Sequence, residues 1–227
     1  FLGTGVWVAI SMISVSAIGM MLFTSRPVGD AMATTIWGTA SSWTLTALPL
    51  FVWMGEILFR TKLSKNLFEG LSPWMQKLPG GLIHVNVVGC ALFAAISGSS
   101  AATVATVGKM SIPELRKRKY PEKILLGSLA GSGTLGLLIP PSIILIIYGV
   151  TVQESIAKLF IAGILPGIMI AAIFKLYVVF WSLLNKKVMP KSFENFSFFQ
   201  KIKKSKQLLP VIILILAVIG SIYTGIA

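Results

Sequence analysis

The 227-residue chain is 55% hydrophobic and only 12% charged, which is about half the charged fraction of a soluble domain. This composition excludes an ordinary soluble protein, and the long apolar runs predict membrane helices instead of a barrel. The net charge of +13 does not indicate a nucleic-acid partner, because the basic residues lie in short segments between apolar runs. Cys90 is the single cysteine, so an intrachain disulfide is excluded.

The first 81 residues contain two predicted spans and an amphipathic helix. Residues 1–23 form the first span, and residues 24–42 are predicted to be an interfacial or partly embedded loop. Residues 43–59 form the second span, which Pro49 interrupts. Beyond it, apolar side chains recur at helical spacing opposite charged ones, which predicts a helix lying on the membrane surface. These apolar positions are Leu63, Leu67, Leu71 and Trp74.

Residues 82–108 are apolar except for a small polar run, Ser97-Gly-Ser-Ser100, in their middle. Basic clusters lie on both sides, so a single crossing would place positive charge on both membrane faces, against the positive-inside rule. A re-entrant hairpin that enters and leaves on the cytoplasmic side, with this run at its tip, removes the conflict. The sequence therefore predicts a hairpin over 82–108; the alternative is that its small residues serve helix packing alone.

Residues 124–150 are predicted to be a broken helix. Pro140 and Pro141 have no N–H and disrupt the preceding turn, so the helix is expected to unwind between Gly136 and Ser142. The alternative is a simple proline kink. Irregular backbone at membrane depth is tolerated only where it lines a cavity or is buried in protein, and transporters bind ions at such breaks.

The remaining segments complete the predicted topology. Residues 151–159 are short and polar and are predicted to be periplasmic, and residues 160–184 cross back. Residues 185–206 form a lysine-rich cytoplasmic connector, and residues 208–223 begin the last span. Almost every lysine and arginine then lies in a cytoplasmic segment, which places the N-terminus in the cytoplasm. The exceptions are Arg26, Lys158 and Lys175.

Four motifs together resemble the large membrane subunit of tripartite ATP-independent periplasmic (TRAP) transporters, the DctM-like family. They are AAISGSSAATVATVG at 94–108, IPELR at 112–116, GSLAGSGTLGLLIPPS at 127–142 and FIAGILPG at 160–167. Each motif alone is weak, but their order and spacing make the resemblance specific. The chain resembles the N-terminal half of such a subunit, which is the first of two inverted repeats.

The resemblance implies an all-α integral membrane protein with a re-entrant helical hairpin and a broken helix, of the elevator type. The implied activity is sodium-coupled import of organic acids, such as C4-dicarboxylates or sialic acid, across the bacterial inner membrane. The implied partners are a small DctQ-like membrane subunit, a periplasmic DctP-like solute-binding protein, the organic anion and the lipid bilayer. Na⁺ is the coupling ion, and no other cofactor is expected. No enzymatic activity is expected, because no nucleophile–base pair or metal-ligand spacing stands out.

The resemblance also implies one sodium site between the hairpin tip and the break that faces it, built mainly from backbone oxygens. Na⁺ is a hard cation and prefers oxygen ligands, so backbone oxygens are suitable ligands for it. Two serine hydroxyls are candidates to donate hydrogen bonds to a substrate carboxylate, Ser97 and Ser142. The implied sodium ligands are Ser97, Ser99, Gly136, Ile139 and Pro141. The rest of the anion site would lie in the second repeat.

The sequence predicts three regions. Residues 1–81 are scaffold-like, residues 82–159 form a transport-type module, and residues 160–227 hold a span, the basic connector and the start of the last span. Two other functions stay open. One is a sodium–carboxylate symporter that needs no binding protein, and the other is a non-transporting membrane scaffold that docks partners through its surface helix and basic loops.

Overall fold

A computed structural model describes residues 5–61, 63–190 and 196–224, and within these ranges every regular element is helical. The helical class predicted from the sequence is thereby confirmed. The chain divides into two compact units, Phe1–Thr46 and Ala47–Ala227. The first unit contains α1 (Val8–Phe23), α2 (Val28–Ala40) and a short 3-10 turn (Trp43–Thr46). The predicted limits at 81 and 159 concern function and stay predictions.

Helix α2 lies where a loop was expected, so the prediction for 24–42 was wrong. Pro27 precedes the first turn, where its missing N–H breaks no helical hydrogen bond, and Asp30 complements the positive end of the helix. The threonine hydroxyls, which suggested a loop, form hydrogen bonds with the backbone of the helix itself. Thr34 and Thr35 each donate at 2.8 Å to the carbonyl four residues earlier, which satisfies these polar groups without unwinding the backbone.

The second unit holds nine α-helices in its described part. A 3-10 turn (Thr134–Leu137) follows the seventh helix of the chain, and another (Lys206–Leu208) joins the tenth to the eleventh. The helices are α3 (Ala47–Arg60), α4 (Leu63–Met75), α5 (Ile83–Ser97), α6 (Ser100–Lys117), α7 (Glu122–Gly133), α8 (Ile143–Val152), α9 (Ile156–Leu184), α10 (Phe198–Ser205) and α11 (Leu209–Tyr223).

Helix α5 forms the centre of the second unit. Twelve of its fifteen residues are buried, and it contacts α3, α4, α6, α7, α9 and α11. Phe93 and Ile96 are fully buried in a cluster to which α3, α4, α6, α7 and α11 each contribute a side chain. A helix that is apolar on all sides is expected at such a position, because each face packs against a different neighbour.

Buried polar groups connect α5 to α7. The Asn86 side-chain amide donates to the Leu125 carbonyl at 3.2 Å and to the Ser128 hydroxyl at 3.0 Å. The Ser132 hydroxyl donates to the Ser128 carbonyl at 2.5 Å and approaches the Asn86 carbonyl at 3.4 Å. Because an apolar environment offers no water to these groups, pairing them across the two helices sets the register between α5 and α7.

Helices α5 and α6 form the predicted helical hairpin, with its tip at residues 98–99. The second arm does not end at residue 108 but continues to Lys117, because Pro113 removes one hydrogen bond without ending the helix. At the base of the hairpin, the Leu82 N–H donates to the Tyr120 hydroxyl at 3.1 Å. The re-entrant path of this hairpin through a bilayer stays a prediction.

Helix α4 occupies the position predicted for the amphipathic helix, but its apolar face packs against protein. Leu67 and Leu71 are buried in clusters formed with the hairpin helices, and only Trp74 of the predicted face is exposed. The hairpin therefore covers the surface that was expected to contact lipid. Spacing alone predicts an apolar face and does not distinguish a protein neighbour from a membrane.

Two helical stretches of the described chain are long and apolar enough to cross a membrane, Ile156–Leu184 and Phe198–Ile222. Only 11% and 6% of their most apolar windows are buried, so both expose apolar side chains to the surroundings. The second stretch runs from α10 into α11 and begins inside 185–206, which was predicted to be a connector. The spans predicted at 1–23 and 43–59 correspond to shorter apolar helices, α1 and α3.

Candidate functional site

The hairpin tip joins the end of α5 to the start of α6 in two residues. Gly98 is left-handed, with φ of 61°, and its N–H donates to the Ala94 carbonyl at 3.1 Å. Glycine is the usual residue at this position because a side chain would be strained there. Ser99 is the N-cap residue of α6, and its hydroxyl accepts from the Ala102 N–H at 3.4 Å. The polar run in the sequence thus reverses the chain.

A buried hydroxyl pair links the two arms just inside the tip. The hydroxyls of Ser97 and Thr103 share a hydrogen bond of 2.9 Å, and the Ser97 hydroxyl also lies 3.3 Å from the Ser99 carbonyl oxygen. Ser97 is 1% exposed and Thr103 is 0% exposed. Sequence reasoning missed Thr103, because its contact with Ser97 forms only after the chain reverses at Gly98.

The predicted break is present between α7 and α8. The 3-10 turn ends at Leu137, α8 begins at Ile143, and residues 138–142 are not helical. Pro140 has no N–H to donate to the Gly136 carbonyl four residues earlier, and the next proline likewise cannot donate to Leu137. The Leu137 carbonyl instead accepts from the Ser142 hydroxyl at 2.7 Å. The Gly136 carbonyl therefore receives no such helical bond.

The hairpin tip contacts the break directly. The Gly98 carbonyl accepts from the Ile143 N–H at 3.2 Å. A Cβ atom added to Gly98 would lie 2.7 Å from the Pro141 carbonyl oxygen, and one added to Gly136 would lie 2.8 Å from the Ser100 nitrogen. Both distances are shorter than real Cβ contacts, and both partners are backbone atoms, so glycine is required on each side of this junction.

Helix α9 supports the break from its other side. A Cβ atom on Gly163 would lie 2.8 Å from the Leu138 carbonyl oxygen, and one on Gly167 would lie 2.8 Å from the Ile139 side chain. Two glycines four residues apart let the backbone of the break approach the helix closely. In the sequence, the motif at 160–167 contributed only to the family resemblance. The spacing of its two glycines is the feature that indicates a close approach of the backbones.

Three of the six predicted site residues meet at the junction of tip and break. Ser99 of the tip lies against Gly136 of the 3-10 turn, and Pro141 of the break lies against Gly98. The other three have different neighbours: the Ser97 hydroxyl bonds to Thr103 on α6, the Ile139 side chain packs toward α9, and the Ser142 hydroxyl bonds within the break. The assignments of sodium ligands and of Ser97 and Ser142 as substrate contacts stay predictions.

Four helix ends converge at this junction. The C-terminal ends of α5 and of the 3-10 turn present carbonyl oxygens, and the N-terminal ends of α6 and α8 present N–H groups. Helix ends carry partial charges, negative at the C-terminus and positive at the N-terminus, so this arrangement suits a cation and an anion side by side. No three His, Cys, Asp or Glu side chains form a metal cluster among the described residues. A cation at this junction would therefore bind backbone and hydroxyl oxygens.

Comparison with known proteins agrees with the motifs and the geometry. The sequence model of the family described as "Tripartite ATP-independent periplasmic transporter, DctM component" matches residues 1–227. Over 92% of its length, the chain is 33% identical to the C4-dicarboxylate TRAP transporter large permease protein DctM of Pseudomonas aeruginosa, and the match covers 48% of that protein.

Two further relatives give the same result. The protein of the same name from Vibrio cholerae is 30% identical over 98% of this chain, which covers 48% of the relative. The isethionate TRAP transporter permease protein DctMQ of Oleidesulfovibrio alaskensis is 32% identical over 100% of the chain, which covers 35% of the relative. The chain spans about half the length of the curated DctM relatives that it matches. It belongs to the DctM family of TRAP transporter large permease proteins.

Proposed function

We propose that this chain is part of the large membrane subunit of a sodium-coupled TRAP transporter that imports an organic acid. The observation that supports this most strongly is the junction of the hairpin tip with the broken helix. There, the Gly98 carbonyl lies 3.2 Å from the Ile143 N–H, and Gly136 lies against the backbone of Ser100. A transporter needs irregular backbone of this kind to replace the hydration shell of an ion at membrane depth.

In this proposal, sodium binds where carbonyl oxygens of the tip and of the break face a common space. The predicted ligands are the backbone oxygens of Ser97, Ser99, Gly136, Ile139 and Pro141. An ion shared between the tip and the break favours their closed contact, because opening the tip would separate its ligands. The bound cation and the N-terminal ends of α6 and α8 then attract the acid group of the substrate.

Coupling requires the hairpin, α7 and the break to move together. The Asn86 amide and the Ser132 hydroxyl connect α5 to α7, and the base of the hairpin is closed at Tyr120. These buried contacts suit a rigid body that moves as a unit, as an elevator mechanism demands.

The proposed partners follow from the family. We infer a periplasmic DctP-like solute-binding protein that delivers the acid and a small DctQ-like membrane subunit, in the bacterial inner membrane with the N-terminus of this chain in the cytoplasm. The relatives are named for C4-dicarboxylate and isethionate. Both compounds are anions, but their acid groups differ. The substrate proposed is therefore an organic acid, with no single compound assigned.

The test is uptake of a radiolabelled organic acid by the complete transporter reconstituted in proteoliposomes. Uptake is expected to require both an inward sodium gradient and the binding protein, and choline in place of sodium, with potassium equal on both sides, should reduce it to background. The membrane potential is held constant with a potassium ionophore as a control. Uptake that persists without sodium contradicts the coupling, and uptake that persists without the binding protein supports a simple symporter instead.

A further inference from the structure

Helix α3 contacts the hairpin tip through a buried glycine, Gly55. Its neighbours Trp53, Glu56 and Ile57 are exposed, and Gly55 and Leu58 are the buried residues of α3 within its described part. The helix also contacts α6 and α8, which start at the tip and at the break. Small residues let membrane helices approach each other closely, so α3 lies directly beside the junction of tip and break.

The contact is made with the backbone of Ser97. A Cβ atom added to Gly55 would lie 3.4 Å from the Ser97 carbonyl oxygen, 3.5 Å from its Cα and 3.6 Å from its Cβ. These are ordinary van der Waals distances, so the space beside Ser97 holds one methyl group. A β-branched side chain brings further carbon atoms to the same backbone, and its stiff χ1 leaves few ways to avoid them. Position 55 therefore has a size limit.

Apolar contacts hold α3 in this place. Met54 and Leu58, which flank the glycine on the same face of the helix, pack in the cluster that contains Phe93 and Ile96 of α5. Both α5 side chains are fully buried, and a close-packed cluster resists the opening of a gap. Helix α3 therefore cannot move away from the tip at no cost when the side chain at position 55 is enlarged.

Ser97 connects the contact with α3 to the contact with the break. Its hydroxyl shares a hydrogen bond of 2.9 Å with Thr103, and the next residue, Gly98, accepts from the Ile143 N–H at 3.2 Å. On the side of the break the tip has no free space, because a Cβ atom on Gly98 would lie 2.7 Å from the Pro141 carbonyl oxygen. A displacement of Ser97 therefore changes the positions of the tip carbonyls relative to the break.

We propose that Gly55 is a positioning residue for the cation site. Its lack of a side chain sets the distance between α3 and the tip, and thereby the spacing between the carbonyls of the tip and those of the break. The inference rests on the proposed function, in which sodium binds between these carbonyls. Gly55 does not touch the ion and acts through Ser97. A side chain larger than a methyl group should weaken sodium binding, because displaced carbonyls no longer reach the ion together.

The experiment measures uptake by the complete transporter in proteoliposomes as a function of sodium concentration. Gly55→Val should raise the sodium concentration for half-maximal uptake about tenfold, with the maximal rate retained at saturating sodium, because overpacking displaces the tip. Gly55→Ala fits the available space, and its effect should stay within about twofold. The matched control is Gly127→Val, at a glycine with no atom outside the adjacent backbone of its own helix within 4 Å, and it should behave as the wild type.

A second measurement tests the contact independently of sodium. The Cβ atoms at positions 55 and 97 would lie 3.6 Å apart, within the disulfide range of about 3.5–4.5 Å. In a Cys90→Ala background, Gly55→Cys combined with Ser97→Cys should therefore form a disulfide when copper phenanthroline is added as the oxidant. Peptide mass spectrometry detects the product. Gly127→Cys combined with Ser97→Cys is the control pair and should form none.

Support for the proposal is a loss of sodium affinity confined to Gly55→Val, together with a disulfide confined to the pair at 55 and 97. An unchanged affinity in Gly55→Val overturns it, as does an equal loss in Gly55→Ala or in Gly127→Val, because the effect would then not depend on this contact. Absence of the disulfide overturns the contact itself.

Two further outcomes are separable from these. Wild-type uptake that needs no sodium overturns the proposed function, and the inference with it, whereas sodium-dependent uptake with an unchanged Gly55→Val overturns the inference alone. If Gly55→Val does not assemble, the single variant Gly55→Cys under reducing conditions adds one atom beyond the methyl group and should weaken sodium affinity about threefold. An unchanged affinity in that variant overturns the role of Gly55.

Discussion

Helices α5 and α9 are both long apolar segments, yet the structure uses them in opposite ways. Twelve of the fifteen residues of α5 are buried, whereas α9 buries five of its twenty-nine, two of which are glycines that face the break. Helix α5 is surrounded by protein, and α9 contacts protein along one side only. Apolarity alone therefore does not tell whether the neighbours of a helix are other helices or lipid.

The two helices also treat polar groups differently. Helix α5 contains His84, Asn86 and Ser97, all buried, and each has a hydrogen-bond partner: the Pro79 carbonyl, α7 and Thr103, respectively. Helix α9 instead contains Pro166, whose missing hydrogen bond is tolerated in the middle of the helix. Helix α5 thus pairs its buried polar side chains with its neighbours, whereas most side chains of α9 are not buried.

The largest expected effect is a difference in stability between two phenylalanine variants, one on α5 and one on α9. Phe93→Ala on α5 removes a fully buried ring and should lower the free energy of unfolding by about 3 kcal/mol or more, because the surrounding helices cannot fill the cavity. Phe180→Ala on α9 removes a ring that is 65% exposed and should change stability by less than about 1 kcal/mol. Thermal unfolding of both variants in detergent measures the difference. Equal losses would contradict the contrast between α5 and α9.

The next effect is a difference in transport between variants of two glycines, Gly136 in the 3-10 turn and Gly127 in α7. Gly136→Ala places a methyl group 2.8 Å from the Ser100 nitrogen, so the hairpin tip must shift away from the break. Overpacking of this kind costs about 1–3 kcal/mol, and the displaced carbonyls should weaken sodium-dependent uptake about tenfold or more. Gly127→Ala is the control, since no atom outside the adjacent backbone of its own helix lies within 4 Å of the added methyl group, and it should transport normally. Normal uptake by Gly136→Ala would rule out the tight junction.

The smallest effect concerns the hydroxyl pair inside the tip. Ser97→Ala and Thr103→Val each remove the 2.9 Å hydrogen bond, which is worth about 1 kcal/mol. We expect about a fivefold weaker apparent affinity for sodium, with normal assembly of the complex. Thr151→Val on α8 is the control, because its exposed hydroxyl bonds only to its own helix. The sodium dependence of uptake measures all three, and an unchanged affinity in both tip variants would exclude the pair from the site.

Local sequence signals predicted the elements that depend on local chemistry. The break at 136–142 was predicted because prolines cannot donate hydrogen bonds, and the tip at Ser97-Gly-Ser-Ser100 was predicted from its polar residues within an apolar run. The loop expected at 24–42 is a helix, because Thr34 and Thr35 bond to their own backbone. The partner of Ser97 could not be read from the sequence, since Thr103 meets it only after the chain reverses at Gly98.

By itself, the sequence determined the helical class, the positions of the tip and the break, and the family, because composition, proline chemistry and ordered motifs are properties of the chain alone. Only the tertiary structure decided which apolar helix is central, which face of α4 is covered, and how tip and break meet. Those features depend on distances between residues far apart in the chain. The contact of Gly136 with Ser100 shows the reason: it exists only because α5, α6 and α7 pack together with polar groups paired between them.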